Sequence, residues 1–191
     1  MSGESTVVYC TWAHRKLLPP HLRMRFGDLD DFVRSVVGTA QDSVLLISPY
    51  LSPPGLAGLR GAMAMAVERG AWIHILTDDS QPNRDLNSRA LRELVRGDEG
   101  ELVRRRLRVL TASALFPVLV HAKAVVVDAS SGYLGSANLS QRGLDENFEI
   151  GLALSAVQAN TIAKFAELFE ARKYIEDVTT QMLGIPPRLG L

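Results

Sequence analysis

Two short apolar runs, Val44 to Ile47 and Trp72 to Leu76, bracket an Ala- and Met-rich stretch from Leu56 to Arg69. Runs this short are strand-like. The stretch between them has a single β-branched residue, Val67, and reads as a helix closed by Gly70. Strand, helix and strand joined by short links imply a right-handed crossover and parallel pairing. This one feature commits the chain to an α/β sheet with helices packed on it.

The flanks extend the pattern. Leu29, Phe32, Val33, Val36 and Val37 form one helical stripe, preceded and accompanied by Asp28, Asp30 and Asp31, which suit the positive N-terminal end. Residues 6–12 read as a short edge strand, and the basic, Pro-containing segment 13–27 as a loop. Segments 48–55 and 78–86 read as loops and 87–96 as a helix. Residues 107–110 read as a strand and 119–127 as the longest strand. A tight turn at 130–132 and a return at 133–135 complete a hairpin, and 147–154 is the final strand. Ser155 with Gln158 forms a capping box before a helix whose Ile162, Phe165, Ala166 and Phe169 share a face. The tail 184–191 reads as flexible. The expected fold class is α/β, a mixed, largely parallel sheet sandwiched between helices, in a single domain over 1–191 with neither repeat nor linker.

Composition narrows the class. The 191 residues hold 21 Lys+Arg against 21 Asp+Glu, and 47% are apolar. That excludes a disordered chain, a collagen and a disulfide scaffold, and suffices for a buried core. The lone Cys10 has no internal disulfide partner and fits a reducing cytoplasm. The N-terminus has no signal-peptide pattern. The apolar window 110–127 is broken by Pro117, His121 and Lys123, so no membrane span is expected. Balanced charge hides local bias. Thr11 to Gly27 carries Arg15, Lys16, Arg23 and Arg25 without an acid, and Leu102 to Val127 carries Arg104, Arg105, Arg106, Arg108 and Lys123 without one.

Chemistry concentrates after residue 120. In an extended strand His121 and Lys123 share a face. An imidazole beside an ammonium is a poor core pair, so the two should line a polar pocket. Ser136 and Asn138, after Gly135, share a face in the same way, as neutral hydrogen-bond donors. Glu149, between Phe148 and Ile150, is a carboxylate in apolar surroundings that needs a partner, and an imidazole is the obvious one. A cation and neutral donors hold non-bridging phosphoryl oxygens. A neutral imidazole can attack phosphorus, with a carboxylate steadying its far nitrogen. The arrangement requires no metal or cofactor, and the spacing matches no zinc or two-metal pattern.

His121-x-Lys123-x4-Asp128, followed by x6-Gly135-Ser136-x-Asn138, resembles the signature of the phospholipase D superfamily. Every fixed position matches, and Glu149 falls where the small bacterial nucleases of that superfamily carry a glutamate. The resemblance runs from the strand at 44 to the helix after 155. It implies that one histidine forms a phosphohistidine, a second protonates the leaving oxygen, and water releases the product. That chemistry needs two motifs and this sequence has one, so the resemblance implies a homodimer with His121 and Lys123 of each chain meeting at the two-fold axis. It also implies structural parts for Asp128 and Gly135.

The resemblance further implies a small, single-motif type that hydrolyses phosphodiesters. A metal-independent endonuclease is the leading expectation, with DNA ahead of RNA, as an accessory nuclease of a bacterial defence system acting with partner proteins. The basic clusters fit a polyanion channel. Arg104, Arg105 and Arg106 are candidate phosphate contacts, and Tyr50 a candidate stacking residue. Zero net charge departs from a nonspecific nuclease, which is usually basic. The alternatives are a lipid or small-molecule phosphodiesterase and a non-catalytic nucleic-acid-binding subunit. The first would show an apolar channel beside His121 built from Leu115, Phe116 and the 48–54 loop. His74 reads as a structural histidine, and His14 and His21 as residues of a solvated basic surface stretch rather than of the site.

Overall fold

The computed structural model describes residues 7–11 and 15–185. His14, residues 6 and 12 of the expected edge strand and most of the expected tail lie outside them. Among the described residues nine strands form one sheet: β1 (Val8–Cys10), β2 (Phe26–Asp28), β3 (Ser43–Ile47), β4 (Trp72–Leu76), β5 (Leu107–Ala112), β6 (Ala124–Val127), β7 (Ser131–Gly135), β8 (Ile150–Leu154) and β9 (Ile175–Asp177). Their order is β2-β1-β8-β7-β6-β3-β4-β5-β9. The crossover over 44–76 gives parallel β3 and β4, and β5 continues in parallel. The fold class is the mixed α/β sheet that the sequence predicts, with one adjustment. Only β1·β2, β3·β4 and β4·β5 are parallel, and the other five pairings are antiparallel. The hairpins at 124–154 have no crossover helix between them, so they pair antiparallel.

The helices are α1 (Pro20–Arg23), α2 (Leu29–Gly38), α3 (Pro53–Glu68), α4 (Asn83–Leu94), α5 (Gly97–Arg105), α6 (Ala156–Ala171) and α7 (Thr179–Leu183). Asp28 caps α2 by accepting from Asp31 N at 3.1 Å. The Ser155–Gln158 capping box opens α6. One face of the sheet carries α2 to α5 and α7 over the main core, where Leu46, Leu56, Leu59, Met63, Ile73 and Ile75 are fully buried. The other face carries α6, which packs on Val126 and Leu154 through Ala159 and Ile162. Among the described residues no helix is long and apolar enough to cross a membrane.

Several boundaries differ from the sequence reading. The segment 13–27 is not all loop: it holds α1 and β2. Its cations fold the segment on itself, with Arg15 donating to Phe26 O at 2.7 Å and Arg23 to Lys16 O at 2.7 Å. The strand expected over 119–127 is confined to 124–127. β3 ends at Ile47 opposite Ala124, and Ser48-Pro49 then leaves the ladder; on the other side pairing reaches one residue further, where Lys123 O accepts from Gly135 N, so 119–122 stay outside the strand. The turn after β6 lies at 128–130, where Asp128 and Ala129 take φ of 50° and 51°. The last strand of the hairpin region starts at Ile150, not 147.

Candidate active site

The end of the sheet where Ile47 meets Ala124 gathers the sequence-predicted residues. His121 is exposed and Lys123 half-buried, both just before β6. Their contact lies outside any strand, on the segment that leads into β6. Lys123 Nζ lies 3.0 Å from His121 Nδ1 and donates to His121 O at 2.9 Å. Desolvation lowers the Lys123 pKa below its ordinary value, with the Glu149 carboxylate acting in the opposite direction.

The return strand arrives beside this pair, since Gly135 N donates to Lys123 O at 3.2 Å. Ser136 follows at once. Its N donates to Ile150 O at 3.1 Å, and its Oγ accepts from Ile150 N at 3.2 Å and donates to Glu149 Oε2. Glu149 is 9% exposed and takes a second bond from Asn147 Nδ2 at 3.3 Å. The expected imidazole partner is therefore corrected: within one chain a hydroxyl and an amide satisfy the carboxylate. Asn138, two residues past Ser136, keeps its Oδ1 buried with no hydrogen-bond partner among the described residues. It is an orphaned acceptor at the edge of the site, a position natural structures seldom leave unfilled.

Ser48, at the strand end that the sequence marks as a pocket rim, and Ser52 and Asn87, which sequence reasoning missed, hold the loops around these side chains. Ser48 Oγ accepts from Leu139 N at 3.0 Å and donates to Tyr50 O at 2.8 Å. Ser52 Oγ accepts from Gln141 N at 2.9 Å and caps α3. Asn87, fully buried on α4, accepts from Leu51 N at 2.9 Å and donates to Pro49 O and Asp78 O, each at 2.9 Å. The only sequence signal for these was a polar residue beside an apolar run. Tyr50 is 40% exposed in the loop that follows β3, at the same end of the sheet.

Other candidates lie elsewhere. Arg104 and Arg105 close α5, and Arg106 stacks over Trp72 at 5.4 Å, its carbonyl accepting from Ile73 N. These are the starts of β4 and β5, the opposite end of the parallel strands from Ile47. The expected contact between the arginines and the phosphate site is not made within one chain. Asp128 also sits at that far end. Its carboxylate accepts from Gln41 N at 2.9 Å, Asp42 N at 2.8 Å and Ser43 N at 2.9 Å. Burial opposes its charge, but these three N–H groups and Arg69 hold its pKa below the usual value. His74, on β4, contacts Trp72 and is pushed down by burial and by Arg108. His21 is exposed on α1.

An apolar cavity of about 340 Å3 opens beside His121. Phe116, Leu119, Val120, Phe165 and Phe169 are among its walls. Phe116 is the part of the expected channel that contributes; Leu115 and the 48–54 loop do not line it.

The model of the family described as "Cardiolipin synthase, PLD-like domain" matches residues 33–173. Cardiolipin synthase A of Erwinia tasmaniensis is 28% identical over 149 residues, 73% of this chain and 28% of that protein. Cardiolipin synthase A of Serratia proteamaculans is 29% identical over 120 residues, 63% of this chain and 23% of that protein. The chain thus spans about a quarter of the length of the curated relatives it matches. Among solved structures, the phospholipase D family member Nuc of Salmonella typhimurium aligns with a TM-score of 0.57 at 18% identity, covering 91% of this chain and 97% of that one. NucT of Helicobacter pylori gives 0.56 at 14%, covering 91% and 98%. Phosphatidylserine synthase of Haemophilus influenzae gives 0.62 at 19%, covering 84% and 39%. These structural likenesses bear on the fold.

Proposed function

The chain belongs to the phospholipase D superfamily, and on that premise we propose that it is a metal-independent phosphodiesterase acting through a phosphohistidine at His121. The observation that carries the reading is the meeting of His121 and Lys123 with the Gly135–Asn138 turn at one exposed end of the sheet. The His121 imidazole attacks phosphorus, forming a P–N bond as the P–O bond to the leaving group breaks. A second histidine protonates that leaving oxygen. Water then attacks phosphorus, its proton passing back to the second histidine, and the P–N bond breaks to release the phosphate product and free His121. Lys123, Ser136 and Asn138 face the non-bridging oxygens, where charge grows in the transition state. Glu149 orients Ser136.

These 191 residues hold one such motif, so the second histidine comes from outside them. A second copy of this chain is the proposed source, with His121 and Lys123 of each chain meeting in one shared site at the two-fold axis. The proposed substrate is nucleic acid, DNA ahead of RNA. Support comes from the open placement of His121 on the surface and from alignment with nearly the whole of two small chains, Nuc and NucT. A role beside partner proteins in bacterial defence fits the balanced charge, which leaves affinity to be supplied elsewhere.

A lipid or small-molecule phosphodiester is the second reading, favoured by the apolar cavity beside His121. One experiment separates the two. Single- and double-stranded DNA and RNA, and phosphatidylglycerol vesicles, are incubated with wild type and with His121→Ala in excess EDTA. Nucleic-acid cleavage present in wild type and absent in the variant supports the first reading. Lipid turnover alone supports the second. Activity that needs added magnesium overturns the mechanism for both. Light scattering of the active species tests the shared site, and an active monomer overturns it.

A further inference from the structure

The glycine of the Gly135-Ser136-x-Asn138 turn is not there for its backbone angles. Among the described residues the glycines with positive φ are Gly70, Gly97, Gly132 and Gly184. Gly135 pairs with Gly151 across β7 and β8, so two residues without side chains lie next to each other on one face of the sheet. Tyr133, two residues earlier on β7, projects from that face. A Cβ on Gly135 would fall 2.1 Å from the Tyr133 Oη, and one on Gly151 would fall 2.0 Å from its Cε2. Real Cβ atoms do not approach so closely, so the ring occupies the space both glycines leave. An aromatic ring laid over strand glycines fills a gap that would otherwise weaken the pairing.

The hydroxyl of this ring reaches the turn. Tyr133 is 2% exposed, and its Oη accepts from Ala137 N at 3.2 Å. Ala137 is itself buried and stands between Ser136 and Asn138. On its other side the turn is fixed by Ser136 N bonding Ile150 O. The middle residue is thus held from inside the protein while its two neighbours lie at the site.

We propose that Tyr133 is a positioning residue: its ring, seated on Gly135 and Gly151, and its hydroxyl, bonded to Ala137 N–H, set the path on which Ser136 and Asn138 meet the phosphoryl group. The inference rests on the phosphodiesterase reading for its kinetic consequence and on the fold alone for its structural one. Burial pushes the phenol up to about 12, so it remains neutral over the working range and acts as a fixed acceptor. Its removal therefore lowers the rate equally at every pH.

The test uses the full chain, with bis(p-nitrophenyl) phosphate as the probe and amide hydrogen exchange as an activity-free readout. Tyr133→Phe keeps the ring and removes the hydroxyl. It should lower kcat about tenfold, the effect of one neutral hydrogen bond, with KM unchanged and the pH profile unmoved. Exchange at Ala137 N–H should rise about tenfold. Gly151→Ala should lower kcat in the wild-type background and much less in Tyr133→Ala, where no ring is displaced. Full kcat in Tyr133→Phe, or an equal cost of Gly151→Ala with and without the ring, overturns the proposal. If the His121→Ala control shows that the probe is not turned over at His121, the phosphodiesterase reading fails. The Ala137 exchange then decides the positioning proposal by itself: unchanged protection in Tyr133→Phe overturns it, and lost protection upholds it. Should Tyr133→Phe not fold, Gly151→Ala alone decides, since it displaces the ring and keeps the hydroxyl: wild-type kcat together with wild-type exchange at Ala137 N–H overturns the proposal, and loss of both upholds it.

Discussion

The two ends of β6 carry the two halves of one sequence motif, and they are built to opposite rules. At the far end Asp128 receives three backbone N–H groups from residues 41–43. At the near end His121 is exposed, Lys123 is partly desolvated and Asn138 keeps a buried oxygen without a partner. Only the four residues of β6 lie between Lys123 and Asp128, about 13 Å of strand. The carboxylate at the far end is thus satisfied by backbone N–H groups and fixes the fold, while the near end keeps exposed and partly unpaired polar groups.

The sharpest way to break this contrast is to alter the near end alone. His121→Ala should lower turnover by at least about a thousandfold, since the nucleophile is lost. Its Tm should stay within about 2 °C of wild type, because an exposed side chain contributes little to stability. Turnover and thermal unfolding measured on one preparation check both arms. A variant that unfolds early would show that the near end also serves the fold.

Lys123→Ala and Asn138→Ala come next. In the proposed mechanism each removes a group that meets developing charge, so kcat should fall about 10²- to 10³-fold. The pair becomes informative if KM alone changes, because the groups would then bind ground state and transition state equally.

The sequence made one end far more legible than the other. Residue identity and spacing single out His121, Lys123, Ser136, Asn138 and Glu149 as candidates, and the apolar runs mark β3, β4, α2 and α3. What they could not convey was pairing. An apolar run such as Val118-Leu119-Val120 has strand character, but it stays unpaired because its neighbour stops at Ser48-Pro49. The helix α5 has little signal in the sequence because it opens on Gly97, holds Gly100 in its first turn, and has an apolar side of little more than Leu102 and Val103. The arginines that follow read as a phosphate-binding cluster, and what spacing could not convey is that they stand at the starts of β4 and β5, the other end of the parallel strands from His121. The partner of Glu149 was misread for the same reason. Asn147 and Ser136 reach it through a wide turn at Arg142–Glu146 that no periodicity announces.

The far end is tested by Asp128→Asn, which keeps the shape and removes the charge. Three N–H donors lose a carboxylate acceptor, and solvent competes for them, so stability should fall by about 1–3 kcal/mol. For a chain of this size that is a Tm drop of about 2–12 °C. The pH dependence has a definite sign. The folded-state pKa of Asp128 is depressed, so its contribution is present above the ordinary carboxylate range and is lost as pH falls through the folded value. The gap in Tm between wild type and Asp128→Asn should therefore be full at pH 7 and close under acid. Turnover per folded molecule should be unchanged. Lost turnover at intact stability would place Asp128 in the chemistry and erase the contrast between the ends.

The smallest effect concerns the shape of the alkaline limb. Lys123 must be charged to hold phosphoryl oxygens, and desolvation, opposed by Glu149, lowers its pKa below that of an ordinary lysine. As pH rises through that lowered value the charge is lost, and kcat/KM should fall with it. Arginine at this position stays charged throughout, although its fork fits a single-point contact poorly. Lys123→Arg should therefore be slower at neutral pH while its alkaline limb moves to higher pH. A limb that stays in place belongs to another group, such as the histidine that protonates the leaving oxygen. Lys123 would then act through charge that does not titrate in the working range. The near end would still differ from Asp128 in being left open to a ligand, but desolvation of its lysine would no longer be part of that difference.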